Sequence, residues 1–322
     1  MSELEAVVAA LREARSIALA SHINPDGDSV GSLLGLAAVL RETGRQVSPC
    51  IPEPGKYPPQ YDFLPEKELL VDPEELEGGM ELFVALDCSN PERLGPLQKI
   101  AESAGKLLNI DHHEDNQVYA DINLVDAEAS STSELVFRII AAAGWPLRPH
   151  VATCLYTGLV TDTGRFQHRN TSPQTFAMAT ELAAAGADIF KVVKEVYDSQ
   201  SLSYMRLLGR ALQRIEVMED LGFAYSYITQ QDLADTGAVL PETEDLIDYL
   251  RSVRGTRVVA LFKELIDGKV RVSLRSRDGL EVGPIARAFG GGGHAMAAGY
   301  TADSDIAGSI AGLVDELRDR RA

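Results

Sequence analysis

The chain has 322 residues, a formal net charge of −18 at pH 7 and a hydrophobic content of 45%. This length predicts about two domains, each with a core of moderate size. So acidic a chain is a poor partner for long duplex nucleic acid, because that affinity depends on many Lys and Arg contacts with phosphates. No apolar run approaches the roughly 20 residues of a membrane-spanning helix, so we expect no membrane partner.

The cysteines indicate the compartment. Cys50, Cys88 and Cys154 lie far apart in the chain, which is typical of a reducing environment and argues against a disulfide framework. Residues 1–5 are acidic and helical in pattern, unlike a secretory signal. We therefore expect a cytoplasmic protein. Cys88 follows Asp87 directly, and we interpret it as a small buried neighbour rather than a thiolate ligand.

Helices and strands alternate in the first part of the chain. The hydrophobic pattern predicts helices at 2–15 and 29–43, strands at 17–21, 46–51, 81–87 and 106–110, and an extended piece at 121–125. Residues 130–212 are predicted to be mainly helical, with Ser133 and Ser172 among the N-caps. This alternation predicts a parallel sheet that is buried on both faces.

The pattern changes near residue 213, where a second and smaller α/β domain is predicted. Its strands are expected near 214–228, 257–264 and 269–275, and its helices near 243–253, 281–288 and 305–319. We therefore divide the chain into an N-terminal domain (1–187), a helical linker (188–212) and a C-terminal domain (213–322). The linker has none of the Gly and Ser richness of a flexible tether.

The loop after the first predicted strand carries one imidazole and two carboxylates, those of His22, Asp26 and Asp28. Open α/β sheets bind ligands at the carboxyl ends of their strands. Imidazole and carboxylate ligands suit divalent manganese, iron, cobalt or zinc. Taken alone, an ordinary turn followed by a helix with Asp28 as its cap explains this segment equally well.

Three more apolar segments end in the same kind of residue. Residues 82–86 lead to Asp87, residues 106–110 lead to Asp111, His112 and His113, and residues 155–160 lead to Asp162. Three of the six histidines of the chain fall in these motifs. Because turn chemistry alone does not explain four such segments, the sequence predicts one metal site assembled from distant parts of the chain.

These motifs, in this order, resemble the four motifs of the DHH phosphoesterase family, and the third gives the family its name. Residues 290–293 and His294, with 273–277 before them, look like the DHH-associated domain that follows in many members. Residues 129–134 and 157–166 are similar to one branch of the family. That branch consists of bifunctional oligoribonucleases and phosphatases of 3′-phosphoadenosine 5′-phosphate.

The resemblance implies a DHH catalytic domain with two divalent cations, for which we favour Mn²⁺. It assigns His22, Asp26 and Asp87 to one cation, and Asp28, Asp87, His112 and Asp162 to the other. Two such cations supply four positive charges, which balance the four negative charges of the carboxylates. Without them the carboxylates repel one another.

The resemblance places the catalytic role on His113, beside the substrate phosphate, where it stabilises charge or protonates the leaving oxygen. Asp111 is expected to orient an imidazole or to hold the end of its strand, and both interpretations stay open. The division of roles between His112 and His113 also stays open.

The C-terminal domain is expected to hold the substrate, with the active site in the cleft between the two domains. Residues 251–287 contain nine Lys or Arg and four acidic residues, a net charge of +5, which indicates a local clamp for a few phosphates. Arg275 is the best candidate for a bidentate phosphate contact. The glycine run allows the backbone to approach a phosphate closely, and the expected binding residues here are Gly291, Gly292, Gly293 and His294.

The family resemblance therefore implies an enzyme that hydrolyses short oligoribonucleotides to 5′-mononucleotides and dephosphorylates adenosine 3′,5′-bisphosphate. The alternative is a phosphodiesterase for cyclic dinucleotides such as cyclic di-AMP, or for the linear product pApA. The expected partners are short single-stranded oligonucleotides or small nucleotides, and a homodimer is left open.

Overall fold

The computed structural model describes residues 2–76, 78–243, 245–277, 279–293 and 295–320. These form two compact units, Met1–Ser199 (unit 1) and Gln200–Ala322 (unit 2). Unit 1 contains the strands β1 (Ser16–Ala20), β2 (Gln46–Cys50), β3 (Leu82–Leu86), β4 (Leu107–Asp111) and β5 (Ile122–Val125). Its α-helices are α1 (Glu3–Glu13), α2 (Gly27–Glu42), α3 (Gln98–Ser103), α4 (Thr132–Ala142), α5 (Pro149–Asp162), α6 (Pro173–Ala184) and α7 (Ile189–Tyr197).

The predicted parallel sheet of unit 1 is confirmed. Its order is β2-β1-β3-β4-β5, and every neighbouring pair is parallel. From β1 the chain first forms β2 on one side of it. It then returns to form β3, β4 and β5 on the other side, so the direction of winding reverses between β1 and β3. Such a switch point opens a crevice at the carboxyl ends of the strands, which is where ligands bind in open α/β sheets. The loops that follow β1 and β3 border this crevice.

Both faces of the sheet are buried, as the prediction required. Ile17 and Leu19 of β1 belong to the hydrophobic core on the side of α2, α4 and α5. Ala18 and Ala20 of the same strand pack into a second core on the opposite face, together with Phe83 of β3. Each fully buried large aliphatic side chain contributes about 1.5–3 kcal/mol to folding, so the sheet is a rigid base for the loops at its edge.

Helix α2 begins two residues earlier than predicted. Asp26, not Asp28, is its N-cap: the Asp26 carboxylate accepts the backbone N–H of Ser29 at 3.0 Å, and the Ser29 hydroxyl accepts the N–H of Asp26 at 2.9 Å. This reciprocal pair satisfies two N–H groups that the first turn leaves without helical partners. Asp28 is therefore not needed as a cap, and its buried side chain is available for other contacts.

Helices α2 and α5 pack with their backbones in close contact. A Cβ atom built on Gly31 of α2 would lie 2.4 Å from the carbonyl oxygen of Cys154 in α5. A Cβ atom on Gly158 of α5 would lie 2.6 Å from the Asp28 carboxylate. These two glycines let α5 approach the start of α2, and the approach brings the C-terminal end of α5 towards the switch point.

Unit 2 is built on a mixed sheet of order β10-β11-β9-β8-β7-β6, in which β7 and β8 are parallel and the other pairs are antiparallel. Its strands are β6 (Glu216–Met218), β7 (Phe223–Ile228), β8 (Val258–Glu264), β9 (Val270–Ser276), β10 (Gly292–Gly293) and β11 (Ala297–Ala302). Its α-helices are α8 (Leu202–Gln213), α9 (Gln230–Thr236), α10 (Leu246–Arg251), α11 (Gly283–Ala288) and α12 (Ile306–Asp319).

Most elements of unit 2 match the prediction, but β10, β11 and α9 were missed. Strand β11 begins Ala297-Ala298-Gly299, residues with little intrinsic preference for strands. It is a strand because all six of its residues pair with β9, which is a tertiary effect. The segment expected to be a linker, 188–212, contains α7, which lies in unit 1, and most of α8, which lies in unit 2.

Among the described residues, we find no helix that combines the length and the apolar character required to cross a bilayer.

The close contact between α2 and α5 predicts the effect of adding one methyl group. Gly31→Ala should lower the free energy of unfolding by about 1–3 kcal/mol, since its Cβ would collide with the backbone of α5. Urea unfolding followed by circular dichroism measures this change. Gly55→Ala is the matched control, because Gly55 has open space where a Cβ would lie. Equal stability of the two variants would contradict the packing argument.

Candidate metal centre

Three loops, the start of α2 and the end of α5 bring carboxylates and imidazoles together at the switch point of unit 1. In three groups of side chains, one ligand atom from each member lies within 4.8 Å of the corresponding atoms of the others. The groups are His22, Asp26 and Asp87; Asp28, His112 and Asp162; and Asp87, His112 and His113. All residues that we predicted from the sequence as metal ligands are therefore close to one another in space.

His22 follows β1 and is oriented by its own backbone. Its Nδ1–H donates to the carbonyl of Ile23 at 2.8 Å, so the other ring nitrogen faces the cluster. That Nε2 lies 3.5 Å from Asp87 Oδ2 and 3.8 Å from Asp26 Oδ2. A histidine held in this way, with one nitrogen on a carbonyl and the other directed at carboxylates, has the arrangement of a metal ligand.

Asp87 is at the centre of the cluster. It follows β3 in the left-handed region, with φ 59°, a conformation that is strained for a non-glycine residue. Its N–H donates to the carbonyl of Ile110 at 3.0 Å, which ties the strained residue to β4. Burial opposes the charge of Asp87, but the hydrogen bond from His22 and the nearby imidazoles outweigh burial and lower its pKa below the usual range. Asp87 belongs to two of the three groups, so its position suits a bridging ligand.

Asp28 and Asp162 have the opposite electrostatic behaviour. Burial, together with the charge of Asp87, raises the pKa of Asp28 well above its usual value. Burial raises the pKa of Asp162 to about 7. Asp162 is also the last residue of α5, where the helix dipole disfavours negative charge. A cation at this position would remove both penalties.

His112 connects these carboxylates. Its Nδ1–H donates to the carbonyl of Ala129 at 3.3 Å. Its Nε2 lies 3.7 Å from Asp87 Oδ1 and 3.6 Å from Asp162 Oδ2. Like His22, it has one nitrogen on a backbone carbonyl and the other among carboxylates.

The neighbouring His113 has a different partner. Its Nδ1–H donates to Asp111 Oδ1 at 2.7 Å, and the other oxygen of Asp111 accepts the amide of Asn116 at 2.5 Å. Burial opposes protonation of His113, but the hydrogen bond to Asp111 and the charge of Asp87 outweigh it and raise the pKa of His113 to about 9. Asp111 is fully buried and orients this imidazole, as one of the two interpretations from the sequence expected.

The donor chemistry of the cluster fits divalent cations. Carboxylates and imidazoles are the ligands preferred by manganese, iron and zinc. Burial raises the pKa of Asp28 and of Asp162, so a bound cation would favour the charged form of both carboxylates. The described residues contain ligand groups for two cations, because two of the groups within 4.8 Å have no member in common.

Several residues around the cluster were not identified from the sequence. Thr132 donates to both Asp28 and Asp87, and the Asn170 amide donates to the backbone carbonyls of Asp162 and Ser130 at 3.2 and 2.9 Å. Arg93 lies near enough to lower the pKa of His22 and His113 electrostatically, although other effects dominate there. Such roles depend on tertiary contacts and have no local pattern. Of these residues, only Thr132 had a signal in the sequence, because it lies in residues 129–134, which resemble one branch of the family.

The residues predicted to bind substrate lie in unit 2. Arg275 of β9 and Gly291 and Gly292 line the same cleft of about 560 Å³. The guanidinium of Arg275 donates to the carbonyl of Leu274 at 3.1 Å and its Nε lies 4.0 Å from Asp248 Oδ1. Gly293, in β10, has φ 134°. The fifth predicted residue, His294, lies outside the described residues.

Close packing requires glycine at two positions of the run, Gly291 and Gly293, and a positive φ favours glycine at Gly290 and Gly293. A Cβ atom on Gly291 would lie 2.2 Å from the carbonyl oxygen of Gly299, and one on Gly293 would lie 2.5 Å from the Cα of Ala298. Larger residues at these two positions would push β10 away from β11.

The sheet of unit 1 is doubly wound, and carboxylates and imidazoles cluster at its switch point. These features define an α/β protein with a candidate metal centre. The family model for the DHH family, N-terminal domain, matches residues 16–159, and the DHHA1 domain matches residues 221–320. With the relatives described next, these matches show that the chain belongs to the DHH family.

Two relatives carry the name bifunctional oligoribonuclease and PAP phosphatase NrnA. The protein from Thermus thermophilus is 34% identical over 288 residues, which cover 88% of this chain and 83% of the relative. The protein from Bacillus subtilis is 33% identical over 287 residues, which cover 88% of each chain. A crystal structure of an exopolyphosphatase-related protein from Bacteroides fragilis has a TM-score of 0.92 at 25% identity, and the match covers 99% of this chain and 96% of that one.

The electrostatics of the cluster predict how stability depends on pH in metal-free protein. Because the pKa of Asp162 is raised to about 7 and that of His113 to about 9, the folded protein binds more protons than the unfolded chain between pH 5 and 9. The free energy of unfolding should therefore fall as the pH rises through this range.

Urea unfolding in chelator at pH 5, 7 and 8.5 measures this dependence. Asp162→Asn should reduce the fall between pH 5 and 7. It should leave the part of the fall that arises from the other groups with raised pKa values, which are Asp28, His22, His112 and His113. A wild-type profile that rises with pH, or an unchanged profile in the variant, would contradict this account.

Proposed function

We propose that this protein is a metal-dependent phosphoesterase that hydrolyses short oligoribonucleotides to 5′-mononucleotides and removes the 3′-phosphate of adenosine 3′,5′-bisphosphate. One observation carries the proposal: Asp87 is buried at the switch point and its carboxylate lies within reach of both His22 and His112. The names of the relatives from T. thermophilus and B. subtilis support the choice of substrates.

The proposal assigns His22, Asp26 and Asp87 to one cation. It assigns Asp28, Asp87, His112 and Asp162 to a second, with Asp87 between the two. Bound divalent cations supply Lewis acidity towards the phosphate oxygens and make a water molecule a stronger nucleophile. We favour Mn²⁺, because mixed imidazole and carboxylate ligands without thiolates suit it. Cys88 is not assigned to a cation, since its thiol donates to the carbonyl of Asn90 at 3.1 Å and it belongs to none of the three groups.

The proposed role of His113 is to hold a proton at the reacting phosphate. Its Nδ1–H is engaged by Asp111, so Nε2 is the nitrogen that can donate to a phosphate oxygen or to the leaving oxygen. A pKa raised to about 9 by the bond to Asp111 and by Asp87, against the opposing effect of burial, keeps the ring protonated at neutral pH in metal-free protein. An imidazolium is a suitable general acid for an alkoxide leaving group.

The cleft in unit 2 is proposed to hold the anionic substrate. Arg275 offers a guanidinium for bidentate phosphate binding, and the backbone at Gly291 and Gly292 can approach a phosphate because no side chain covers it. These groups provide few positive charges in a chain of net charge −18. This balance favours short single-stranded substrates over long duplexes.

We also place the protein in the cytoplasm. All three cysteines are free and buried in the structure, as expected for a chain that folds without disulfides in a reducing compartment.

A substrate panel tests the proposed function. With Mn²⁺, the wild-type protein should release mononucleotides from a dinucleotide and a five-mer and phosphate from adenosine 3′,5′-bisphosphate, measured by chromatography. Asp87→Ala should reduce these rates by about 100-fold or more, since it removes the shared ligand. Asp220→Ala, which changes an exposed carboxylate of unit 2, is the control. Turnover of cyclic di-AMP with no turnover of linear substrates would instead support the cyclic dinucleotide alternative.

The role of the unit 2 cleft has its own test. Arg275→Gln should lower kcat/KM for the five-mer by about 10- to 100-fold, because a charged phosphate contact is lost. The bound metal, measured by atomic absorption, should not change. Arg318→Gln removes an exposed arginine of α12 and should leave kcat/KM unchanged. A loss of metal in the Arg275 variant would show that the residue supports the fold rather than the substrate.

A further inference from the structure

The N-terminus of α4 contacts two carboxylates of the metal centre although none of its residues is among the proposed ligands. The backbone N–H of Thr132 donates to Asp28 Oδ2 at 2.6 Å, and that of Ser133 donates to Asp28 Oδ1 at 2.9 Å. The hydroxyl of Thr132 donates to Asp87 Oδ1 at 2.9 Å. A single residue, Thr132, thus contacts carboxylates that come from α2 and from the loop after β3.

These contacts fix the orientation of Asp28. Each of its oxygens accepts one backbone N–H and keeps a further lone pair for another partner. The first N–H groups of a helix have no helical acceptors and carry partial positive charge, so they also offset part of the cost of burying this carboxylate. Asp28 is almost completely buried, and water cannot replace these donors.

The contact with Asp87 constrains a strained residue. Asp87 has φ 59° and needs surrounding contacts to keep that conformation. Its N–H is held by Ile110, but that bond does not restrain the carboxylate. The Thr132 hydroxyl holds Oδ1, and this leaves Oδ2 directed at His22, 3.5 Å from its Nε2.

Thr132 is available for this contact because its neighbours supply the helix cap. Ser131 is the N-cap, and its hydroxyl accepts the N–H of Glu134 at 3.1 Å. Glu134 in turn accepts the N–H and the hydroxyl of Ser130 at 2.9 and 2.6 Å and forms an ion pair with Arg138. The segment is therefore held in place independently of the metal centre, so it can act as a rigid support.

From this geometry we infer that Thr132 is a positioning residue of the metal centre, which orients Asp28 through its backbone N–H and Asp87 through its hydroxyl. The inference rests on the proposed function only in that Asp28 and Asp87 are taken as metal ligands. Hydrogen-bond partners of ligands typically account for about 10- to 100-fold in metal affinity.

Two variants separate the hydroxyl from the rest of the residue. Thr132→Val keeps the shape and the backbone N–H but removes the hydroxyl, and Thr132→Ser keeps the hydroxyl. Titration of metal-free protein with Mn²⁺, followed by calorimetry and by the electron paramagnetic resonance signal of free Mn²⁺, should show affinity lowered by about 10- to 100-fold in the valine variant. The serine variant should bind nearly as tightly as the wild type.

Thr157→Val is the matched control. Thr157 is also fully buried in unit 1, but its hydroxyl donates to the helical carbonyl of Thr153 at 2.9 Å. A general effect of losing a buried hydroxyl should lower the melting temperature of both valine variants. Only the Thr132 variant should lose Mn²⁺ affinity. If it does not fold, Thr132→Ala, which adds no methyl group beside the carboxylates, carries the same measurement.

The outcomes distinguish this inference from the proposed function. Unchanged Mn²⁺ affinity in folded Thr132→Val, or equal losses in Thr132→Val and Thr132→Ser, would overturn the role of the hydroxyl while the function stands. Tight Mn²⁺ binding by wild-type protein without hydrolysis of any phosphoester would overturn the function, and the affinity series would still decide the role of Thr132.

Discussion

The repulsion among buried carboxylates at the end of the unit 1 sheet is the constraint on which the rest of the metal centre depends. Asp28 and Asp87 are almost completely buried, where like charges interact far more strongly than in water. The raised pKa of Asp28 and the lowered pKa of Asp87, caused respectively by burial and by imidazoles that outweigh burial, show that the cluster divides its protons unevenly. Such a cluster persists only because the surrounding fold is rigid, and it favours divalent cations as partners.

The fold supplies that rigidity in several ways. Parallel strands packed on both faces hold the loops that carry His22, Asp87 and His112 at one edge. The glycine contacts between α2 and α5 bring Asp162 to the same edge from the end of a helix. The N-terminus of α4 adds donors on the protein side of the cluster. The imidazoles are in turn oriented by carbonyls or by Asp111, so that Nε2 of His22 and Nε2 of His112 face the carboxylates of the cluster.

The role proposed for unit 2 poses a different problem, which is to bind an anion within an acidic chain. Its cleft is lined by two arginines, Arg271 and Arg275, and by backbone exposed at glycines. Gly291 of this cleft and the neighbouring Gly293 also permit β10 to approach β11, so packing and the proposed binding both favour glycine at residue 291. A few local charges are enough for a short substrate, whereas the net charge of −18 opposes nonspecific binding of long polyanions.

The sequence by itself determined the two α/β domains, the parallel sheet of unit 1 and the identity of the clustered side chains, because hydrophobic periodicity and polar residues at strand ends are local signals. It left β11 unidentified, since that strand depends on pairing with β9, and it offered Asp28 as a cap where Asp26 performs that role. Only the tertiary structure decided that Asp111 orients His113 rather than His112, and that Thr132 contacts both Asp28 and Asp87. Those contacts join segments as many as 104 residues apart, and their distances are set by how helices pack on the sheet, which no local pattern encodes.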